Sequence, residues 1–405
     1  MNERYDNIYI VGAFDRHNYG DLLFPLIVEM VARNKGYSQN IEFFSTIDST
    51  MSKYGAKDTL SLKRLFSRGL NKRDLIVIAG GEILPATWSD IVSYLMPTIF
   101  SRILNKLAKL FGEKFTSYLI VRLLHIPSLL PFVYSKSDLQ GAGVVYNAVG
   151  GSHLKYSSDY IKTLVFEKLR EADFISVRDV ETKKLLNDND ISNVNLAPDC
   201  AVLVSTLFPL DEMKMKVDPS LRDLSSRFSR GYMCFQSSFA CLNNNEKLVA
   251  DQLKNIQRET GLGIILFAIG RATGHSDQQS LRKLSVLLND GNDKNIFLSE
   301  SDSIFDIMWI IGNSSIYAGT SLHGAITAFS YDVPVIGLCV SKVNKLKAFL
   351  ETWVSAKNYK LTEYDSLSNT CVNMFQESKK LDSKFKHQAI KLSLENFDRM
   401  FNIKN

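Results

Sequence analysis

Short apolar runs of strand length alternate along this chain with longer amphipathic stretches. In the first half the runs read NIYIVGAF, DLIVIAGG, GVVYNAVGGS, FISVRD and NVNLAPDC, and a helical pattern from about Asp21 to Arg33 follows the first of them. Apolar runs separated by helices are typical of buried strands in a parallel sheet with helical crossovers. The pattern therefore predicts a parallel α/β domain in the first half of the chain.

The alternation pauses at residues 205–230 and then resumes. The pause contains two prolines and many charges without a clear period, which is typical of a link between domains. The later runs YMCFQSS, GIILFAIG, NIFLSE, SSIYAG and VPVIGLCV again alternate with helical stretches and predict a second parallel α/β domain. We therefore predict domains over residues 1–210 and 211–380, and a charged amphipathic helix in 381–405 that crosses back to the first domain.

Residues 92–137 interrupt this rhythm with an apolar and basic stretch. Its one acid is Glu113, and its basic residues include Arg102, Lys106, Lys109, Lys114 and Arg122. One interpretation is a helical insertion packed on the first domain, with its charges in solvent. The other is a basic amphipathic surface that rests on anionic lipid. The sequence leaves both open.

Composition narrows the class of protein. The 405 residues are 45% hydrophobic and 22% charged, an ordinary globular mixture, and the length favours more than one domain. The net charge of +5 is too small for a dedicated nucleic-acid binder. Five cysteines without a C-x-x-C spacing predict neither a disulfide framework nor a zinc site, so we expect a reducing, cytoplasmic compartment.

Polar, glycine-bearing turns follow several predicted strands of the first domain. Ligands of open α/β sheets bind beyond the carboxyl ends of the strands, so these turns are candidate sites. The candidates are Gly20 and Asp21, then Gly80, Gly81 and Glu82, then Gly151, Ser152 and His153. Asp21 has a second interpretation as a helix cap. A Gly-Gly-Ser turn that opens a helix would offer backbone N–H groups to an anion.

Arg178 follows a predicted buried strand directly, and a buried arginine needs a partner. One interpretation is a salt bridge with Asp179 or Asp173. The other is a bidentate clamp on a carboxylate or phosphate of a ligand. Asp199 ends the next strand of the same domain.

The second domain adds two glycine-rich turns. One contains Arg271 and His275, and the other contains Ser321, His323 and Gly324. Thr320 or Ser321 can cap a helix that begins near residue 322, which places His323 in its first turn. The helix dipole and free N–H groups favour an anion there, and Gly324 leaves room beside the histidine.

The stretch SLHGAITAFSYDVPVIGL resembles the signature of the polysaccharide pyruvyltransferase family, in which a His-Gly-x-Ile pattern precedes a helix of small residues and a Pro-Val pair. The first half resembles further motifs of that family in the family's order, namely NYGD, AGGEIL, VGGS, ISVRD and APDCA. The resemblance leaves out only the 92–137 insertion and the tail. It implies a GT-B-like fold, with two Rossmann-like domains and the site in the cleft between them.

The resemblance also implies a reaction. Family members transfer the enolpyruvyl unit of phosphoenolpyruvate onto sugar hydroxyls and form a pyruvate ketal on a surface polysaccharide, such as capsule or exopolysaccharide, or on its lipid-linked precursor. By resemblance, His323 is the motif histidine and Arg178 is the arginine of the Ser-x-Arg-Asp pattern. Many members have an arginine where this chain has Ser321, which implies a different contact with the donor. The expected partners are phosphoenolpyruvate and a glycan, without nucleic acid and without a further cofactor.

The residues suit this chemistry in general terms. Histidine is a natural general acid near neutral pH, and either Asp21 or Glu82 could accept the hydroxyl proton. No metal-ligand spacing is visible, so we expect no required metal. Two alternatives stay open: a GT-B glycosyltransferase that uses a nucleotide sugar, and a binding protein that kept the fold without catalysis. A membrane contact at the inner face would follow if the 92–137 stretch binds lipid.

Overall fold

The computed structural model describes residues 5–37, 40–95, 98–271, 277–289, 295–338, 344–377 and 382–403. Within these residues the chain forms two parallel sheets with helices around them. This architecture confirms the two α/β units predicted from the alternation of apolar runs.

The first sheet has seven strands, all pairs parallel, within the part of the chain that is described. The strands are β1 Asn7–Val11, β2 Asn40–Ser45, β3 Leu60–Ser61, β4 Asp74–Ala79, β5 Gly143–Val149, β6 Phe174–Val177 and β7 Val194–Leu196. Their spatial order is β3-β2-β1-β4-β5-β6-β7. Every residue of β4 and β5 is buried, which accounts for their mainly apolar sequences.

The second sheet has six parallel strands among the described residues, in the order β10-β9-β8-β11-β12-β13. The strands are β8 Tyr232–Gln236, β9 Gly263–Leu266, β10 Ile296–Leu298, β11 Ile316–Gly319, β12 Val335–Leu338 and β13 Tyr359–Thr362. In both sheets the first strand lies in the interior and the order reverses beside it. Ligands of such folds bind at this reversal, beyond the carboxyl ends of the strands.

Most of the longer helices connect these strands, and the last two follow the final strand. They are α1 Tyr19–Asn34, α2 Trp88–Leu95, α3 Thr98–Leu124, α4 Asp159–Leu169, α5 Val180–Asn187, α6 Glu246–Thr260, α7 Asp277–Leu288, α8 Ile304–Gly312, α9 Leu322–Ser330, α10 Asn344–Trp353, α11 Leu367–Glu377 and α12 Lys384–Phe401. None of the helices in the described ranges is long and apolar enough to cross a membrane.

The segment that joins the two sheets is more ordered than its sequence indicates. Short helical turns run from Cys200 to Arg227, and they bury Phe208, Leu221 and Leu224 in an apolar cluster that both domains share. Because the segment consists of successive one-turn helices, its apolar residues do not repeat with one helical or strand period in the sequence.

The C-terminal helix α12 packs against the first domain, as the sequence predicts. Asn396 Nδ2 donates a hydrogen bond of 2.8 Å to Asn147 Oδ1 in β5. The Tyr37 hydroxyl donates a 3.0 Å bond to the carbonyl of Phe401, the last residue of the helix. The last helix therefore fastens the end of the chain to the first sheet.

Backbone bonds also join the two domains directly. The N–H of Tyr19 donates to the carbonyl of Ile269 at 3.2 Å, and the N–H of Arg271 donates to the carbonyl of His17 at 3.2 Å. The Tyr19 hydroxyl lies 2.8 Å from Thr327 Oγ1 in α9. These contacts hold the start of α1 against the second domain at the carboxyl ends of both sheets.

Candidate active site

Four side chains from four strand ends and both domains converge in what we call the Arg178 cluster. Glu82 follows β4, Arg178 follows β6, Asp199 follows β7, and His323 lies in the first turn of α9. Parallel strands end at the same edge of a sheet, which is why residues far apart in sequence meet here.

Arg178 is buried and binds two carboxylates. Its Nη1 donates to Asp199 Oδ2 at 2.9 Å, and its Nη2 donates to Glu82 Oε2 at 3.0 Å. Burial alone would lower the pKa of the guanidinium, but the charges of Asp199 and Glu82 outweigh it and raise the pKa. Arg178 is therefore a permanent cation held between two anions.

The salt-bridge partners considered from the sequence were wrong. Asp179 instead caps α5, where it accepts a 2.7 Å bond from the N–H of Thr182. Asp173 accepts a 3.0 Å bond from the N–H of Val144 in the neighbouring strand. Both nearby carboxylates are committed to the backbone, so the guanidinium pairs with acids distant in sequence.

Glu82 is a fully engaged carboxylate. Its Oε1 accepts 3.1 Å bonds from Ser152 Oγ and from the N–H of His153, while Oε2 binds Arg178. Burial alone would raise the pKa of Glu82, but the hydrogen bonds from His153 and the charge of Arg178 lower it to about 2. The same contact with Glu82 raises the pKa of the His153 imidazole. Glu82 is thus a weak base with little free capacity.

Asp199 connects Arg178 to the motif histidine. His323 Nε2 lies 3.6 Å from Asp199 Oδ2, slightly too far for a hydrogen bond, and this buried nitrogen has no hydrogen-bond partner among the described residues. Burial alone would raise the pKa of Asp199, but His323 and Arg178 together lower it to about 2. Of the two, Arg178 makes the direct hydrogen bond. Asp199 therefore presents a fixed negative charge to the imidazole.

The start of α1 packs directly on His323. A Cβ placed on Gly20 would lie 1.8 Å from His323 Nδ1, so only glycine fits there. The rings of Phe24 and His323 meet edge to face with centroids 5.4 Å apart. From the sequence, Gly20 was interpreted as a turn that lets a ligand approach the backbone. In the structure, the side chain of His323 from the second domain occupies that space instead.

Asp21 lies beside the cluster but does not cap its helix. The cap is Asn18, whose side chain accepts a 3.3 Å bond from the N–H of Gly20, and Asp21 is the third residue of α1. Desolvation raises the pKa of Asp21, against the opposing charges of Arg16, His323 and Lys345. A carboxylate with a raised pKa binds a proton more readily than Glu82 does.

Glu82 and Arg178 of the cluster form one wall of an open pocket. Its lining includes Glu82, Ser152, His153, Tyr156, Arg178 and Lys345. Lys345, in α10, has much of its surface in contact with solvent. Protein nevertheless surrounds its ammonium group, and the resulting desolvation lowers the pKa of Lys345. The charge of Arg178 lowers this pKa further. Lys345 has no ion-pair partner within the part of the chain that is described. His323 lies behind this wall, on the far side of Arg178 and Asp199.

Other predicted site residues are arranged differently. Gly80 and Gly81 have φ values of 65° and 82°, so this turn needs glycine for its left-handed backbone. The N–H of Gly151 donates to Thr182 Oγ1 at 3.1 Å, and the N–H of Gly150 donates to the carbonyl of Gly81 at 2.7 Å. The prediction of bare N–H groups at this Gly-Gly-Ser turn was therefore wrong, because the protein uses them itself.

In the second domain, Ser321 caps α9 by accepting a 3.2 Å bond from the N–H of Gly324, as predicted. The room expected at Gly324 is absent, because a Cβ there would lie 2.2 Å from the hydroxyl of Tyr317. Arg271 Nη2 donates to the carbonyls of Glu300 and Ser301 at 2.9 and 2.7 Å, away from the Arg178 cluster. His275 lies outside the described residues.

Sequence reasoning missed a buried network that holds the histidine turn. Gln236, the last residue of β8, accepts bonds from the N–H groups of Thr320 and Ser321 at 3.2 and 3.0 Å. Its Nε2 donates to Asp277 Oδ2 at 3.0 Å. A polar residue that ends an apolar run is the signal that could have pointed to Gln236. Lys345 carries no comparable signal.

Among the described residues, no group of three or more His, Cys, Asp or Glu side chains is arranged to hold a metal ion.

Two parallel sheets whose strand ends meet at a polar cleft define a GT-B-class fold, and solved structures agree. UDP-GlcNAc 2-epimerase from Methanocaldococcus jannaschii superposes with a TM-score of 0.58 at 12% identity, covering 98% of this chain and 99% of that one. A putative UDP-N-acetylglucosamine 2-epimerase from Listeria monocytogenes gives 0.57 at 9%, covering 99% and 98%. A glycosyltransferase from Rickettsia africae gives 0.54 at 12%, covering 98% of each. Such low identities establish the fold alone.

The family follows from the sequence motifs. The model of the polysaccharide pyruvyl transferase family matches residues 18–340, most of the chain, and this protein belongs to that family. The match contains every residue of the Arg178 cluster. No curated protein matches the sequence.

Proposed function

We propose that this protein transfers pyruvate from phosphoenolpyruvate to a sugar hydroxyl of a surface polysaccharide or its lipid-linked precursor and forms a ketal. The observation that carries this proposal is that Arg178 and Lys345 line one pocket, while Asp199 connects Arg178 to the family's motif histidine, His323. The donor has a phosphate and a carboxylate, and the pocket has cations to receive them.

Lys345 is the best candidate to bind the donor's negative charge. Arg178 lines the pocket too, but Glu82 and Asp199 already neutralise it. Lys345 has no such pairing in the described residues, and its lowered pKa reflects a cation that lacks compensation. An anionic ligand would supply that compensation. Lys345 would also serve in place of the arginine that many family members have at the position of Ser321.

His323 would supply the proton for the donor's methylene carbon, C3. In the first step the sugar oxygen bonds to C2, Asp21 takes the hydroxyl proton, and His323 protonates C3. A second hydroxyl of the sugar then bonds to C2 as the C2–O bond to phosphate breaks, and its proton passes to the departing phosphate, which closes the ketal. Asp199 Oδ2 lies 3.6 Å from His323 Nε2 and places a carboxylate beside the imidazole. Asp21 suits the role of base better than Glu82, whose pKa is about 2.

This role requires a small movement, because the Arg178–Asp199 pair separates His323 from the pocket. The imidazole belongs to the second domain and Arg178 to the first, so a shift of one domain against the other would change their separation. Binding of an anion at Lys345, also in the second domain, would favour such a shift by drawing Arg178 toward the ligand.

Thermal denaturation tests the donor. Phosphoenolpyruvate, UDP-GlcNAc and buffer alone should be compared, because a ligand at about 100 times its Kd stabilises the folded state by about 2.7 kcal/mol. We expect a higher Tm with phosphoenolpyruvate and no shift with UDP-GlcNAc. Lys345→Met should lose the shift, and Lys347→Met on the same helix, where Lys347 is half exposed, should keep it.

A shift with UDP-GlcNAc alone would contradict the proposal and favour a nucleotide-sugar glycosyltransferase. A shift with neither ligand would favour a binding protein. A shift with phosphoenolpyruvate that Lys345→Met leaves intact would retain the donor and refute the assignment of Lys345.

A further inference from the structure

The second half of α3 packs Ile120 into the core of the first domain but also exposes several apolar side chains. Gly112, with a φ of 82°, interrupts the helix, and residues 113–124 form a helical segment after it. The small polar Thr116 and Ser117 are buried against the first domain. Phe115, Tyr118 and Leu123 instead have exposed fractions of 49%, 55% and 69%.

The exposed arc of this segment also carries positive charge. At 100° per residue, Lys114, Tyr118, Arg122 and Phe115 lie within one arc of about 100°, opposite the buried side chains. Leu123 lies about 80° past Phe115, beyond the edge of this arc. Lys114 and Arg122 are exposed, and no salt bridge pairs either of them within the described residues. Leu110, one turn before, is 76% exposed. Aromatic and aliphatic side chains between basic ones are typical of segments that lie in the headgroup region of a bilayer.

We propose that this face, which we call the α3 face and define as Lys114, Phe115, Tyr118, Arg122 and Leu123, docks on a membrane surface rich in anionic phospholipid. Complementary charge selects the lipid, and the exposed apolar side chains enter the boundary between headgroups and acyl chains. Nucleic acid would match the charges but would leave Leu123 and Phe115 in water. A neutral protein partner would match the apolar side chains but not the charges.

The α3 face lies near the candidate active site. Lys114 Nζ is 5.9 Å from the ring centroid of Tyr160, in the first turn of α4. Four residues before Tyr160, the pocket wall ends at Tyr156, which is 74% exposed. A bilayer on the α3 face would therefore lie beside the pocket. If the proposed function holds, a lipid-linked glycan could enter the cleft without leaving the membrane, but docking itself does not depend on that function.

The test is flotation with vesicles of phosphatidylcholine alone and of phosphatidylcholine mixed with phosphatidylglycerol, at low and high NaCl. We expect the full chain to float with the anionic vesicles at low salt, and to be released at high salt because screening weakens the attraction. Lys114→Glu with Arg122→Glu should lower the apparent affinity about tenfold or more. Phe115→Ser with Leu123→Ser should lower it as well.

Matched controls change exposed residues elsewhere. Lys184→Glu with Lys283→Glu alters the net charge equally on other helices, and Val286→Ser removes an equally exposed apolar side chain. These variants should float like the wild type. All variants should keep the wild-type Tm and the wild-type response to phosphoenolpyruvate, which separates loss of docking from loss of the proposed function or of the fold.

Three outcomes would overturn the proposal. The first is no flotation with anionic vesicles at low salt. The second is flotation that the α3 face variants leave unchanged. The third is a wild-type protein that binds neither kind of vesicle and forms a dimer, as measured by light scattering after size exclusion. In that outcome, Phe115→Ser with Leu123→Ser would convert the dimer to a monomer. That result would assign the face to a second copy of the chain.

Discussion

The ion pairing of Glu82 predicts a stability that depends on pH. Its carboxyl has a pKa of about 2 in the folded protein, against an ordinary value of 4.5 in an unfolded chain. At 1.36 kcal/mol per pH unit this difference corresponds to about 3 kcal/mol at pH 7. The side chain is only 16% exposed, so screening by solvent is modest, and we expect roughly 2–3 kcal/mol to remain.

Glu82→Gln should therefore lower the free energy of unfolding by roughly 2–3 kcal/mol at neutral pH. The amide oxygen can still accept bonds from Ser152 and His153, so the loss reports mainly the missing charge beside Arg178. Because the folded pKa is the lower one, the stabilisation is complete above about pH 5.5 and disappears as the pH falls toward 2. The difference between variant and wild type should shrink over that interval.

The assay is urea unfolding at pH 7, 5, 4 and 3, followed by tryptophan fluorescence. Trp353 suits this purpose because its indole N–H donates a 3.3 Å bond to the carbonyl of Arg178. Glu181→Gln is the matched control, since Glu181 is exposed and pairs with the exposed Lys155, and it should cost less than about 1 kcal/mol. A Glu82→Gln effect of equal size at pH 7 and pH 3 would refute the reasoning.

Four further predictions concern the machinery around the histidine. His323→Ala should abolish transfer while the protein stays folded, and His323→Gln should bind the donor better than His323→Ala does. Turnover by His323→Ala within about threefold of wild type would contradict the role of His323 as the general acid. Arg178→Lys should raise the donor KM if Arg178 contacts the donor, whereas an effect on the Tm alone, with calorimetric donor affinity unchanged, would make it purely structural. Gly20→Ala should destabilise by about 1–3 kcal/mol through overlap with the imidazole, and the double variant with His323→Ala should be less affected than the two effects summed. Gln236→Leu should lower kcat while leaving the donor KM near wild type, because it frees the turn before α9; Gln236→Glu, which keeps the acceptor oxygen, should retain more activity.

Much of this fold could be predicted because its determinants are local. The buried strands read as continuous apolar runs, and the cap of α9 is visible as Ser321 before a helical stretch. Strands β2, β3 and β13 were not predicted. They are short or only partly buried, and their apolar and polar residues do not alternate clearly.

The arrangement of the site could be predicted only in outline. The sequence indicated that Arg178 needs a partner, but the partners Glu82 and Asp199 lie 96 and 21 residues away. Nothing local distinguishes them from Asp179, whose side chain is nearer in sequence but bonded to the backbone. Lys345 could not be found at all, because one lysine on an ordinary surface helix looks like any other until the fold places it in the pocket.

The backbone bonds between the two domains have a consequence for how this protein can diverge. Tyr19 and Ile269, and likewise His17 and Arg271, are joined through main-chain N–H and carbonyl groups. Every residue except proline carries both groups, so substitution of these side chains leaves the bonds available. Mutation of these side chains therefore leaves the distance across the cleft unchanged, while the loops at its rim can change at exposed positions such as Lys155 and Tyr156. A lineage could acquire a different glycan by drift in those loops without having to rebuild the joint that aligns the histidine with Asp199.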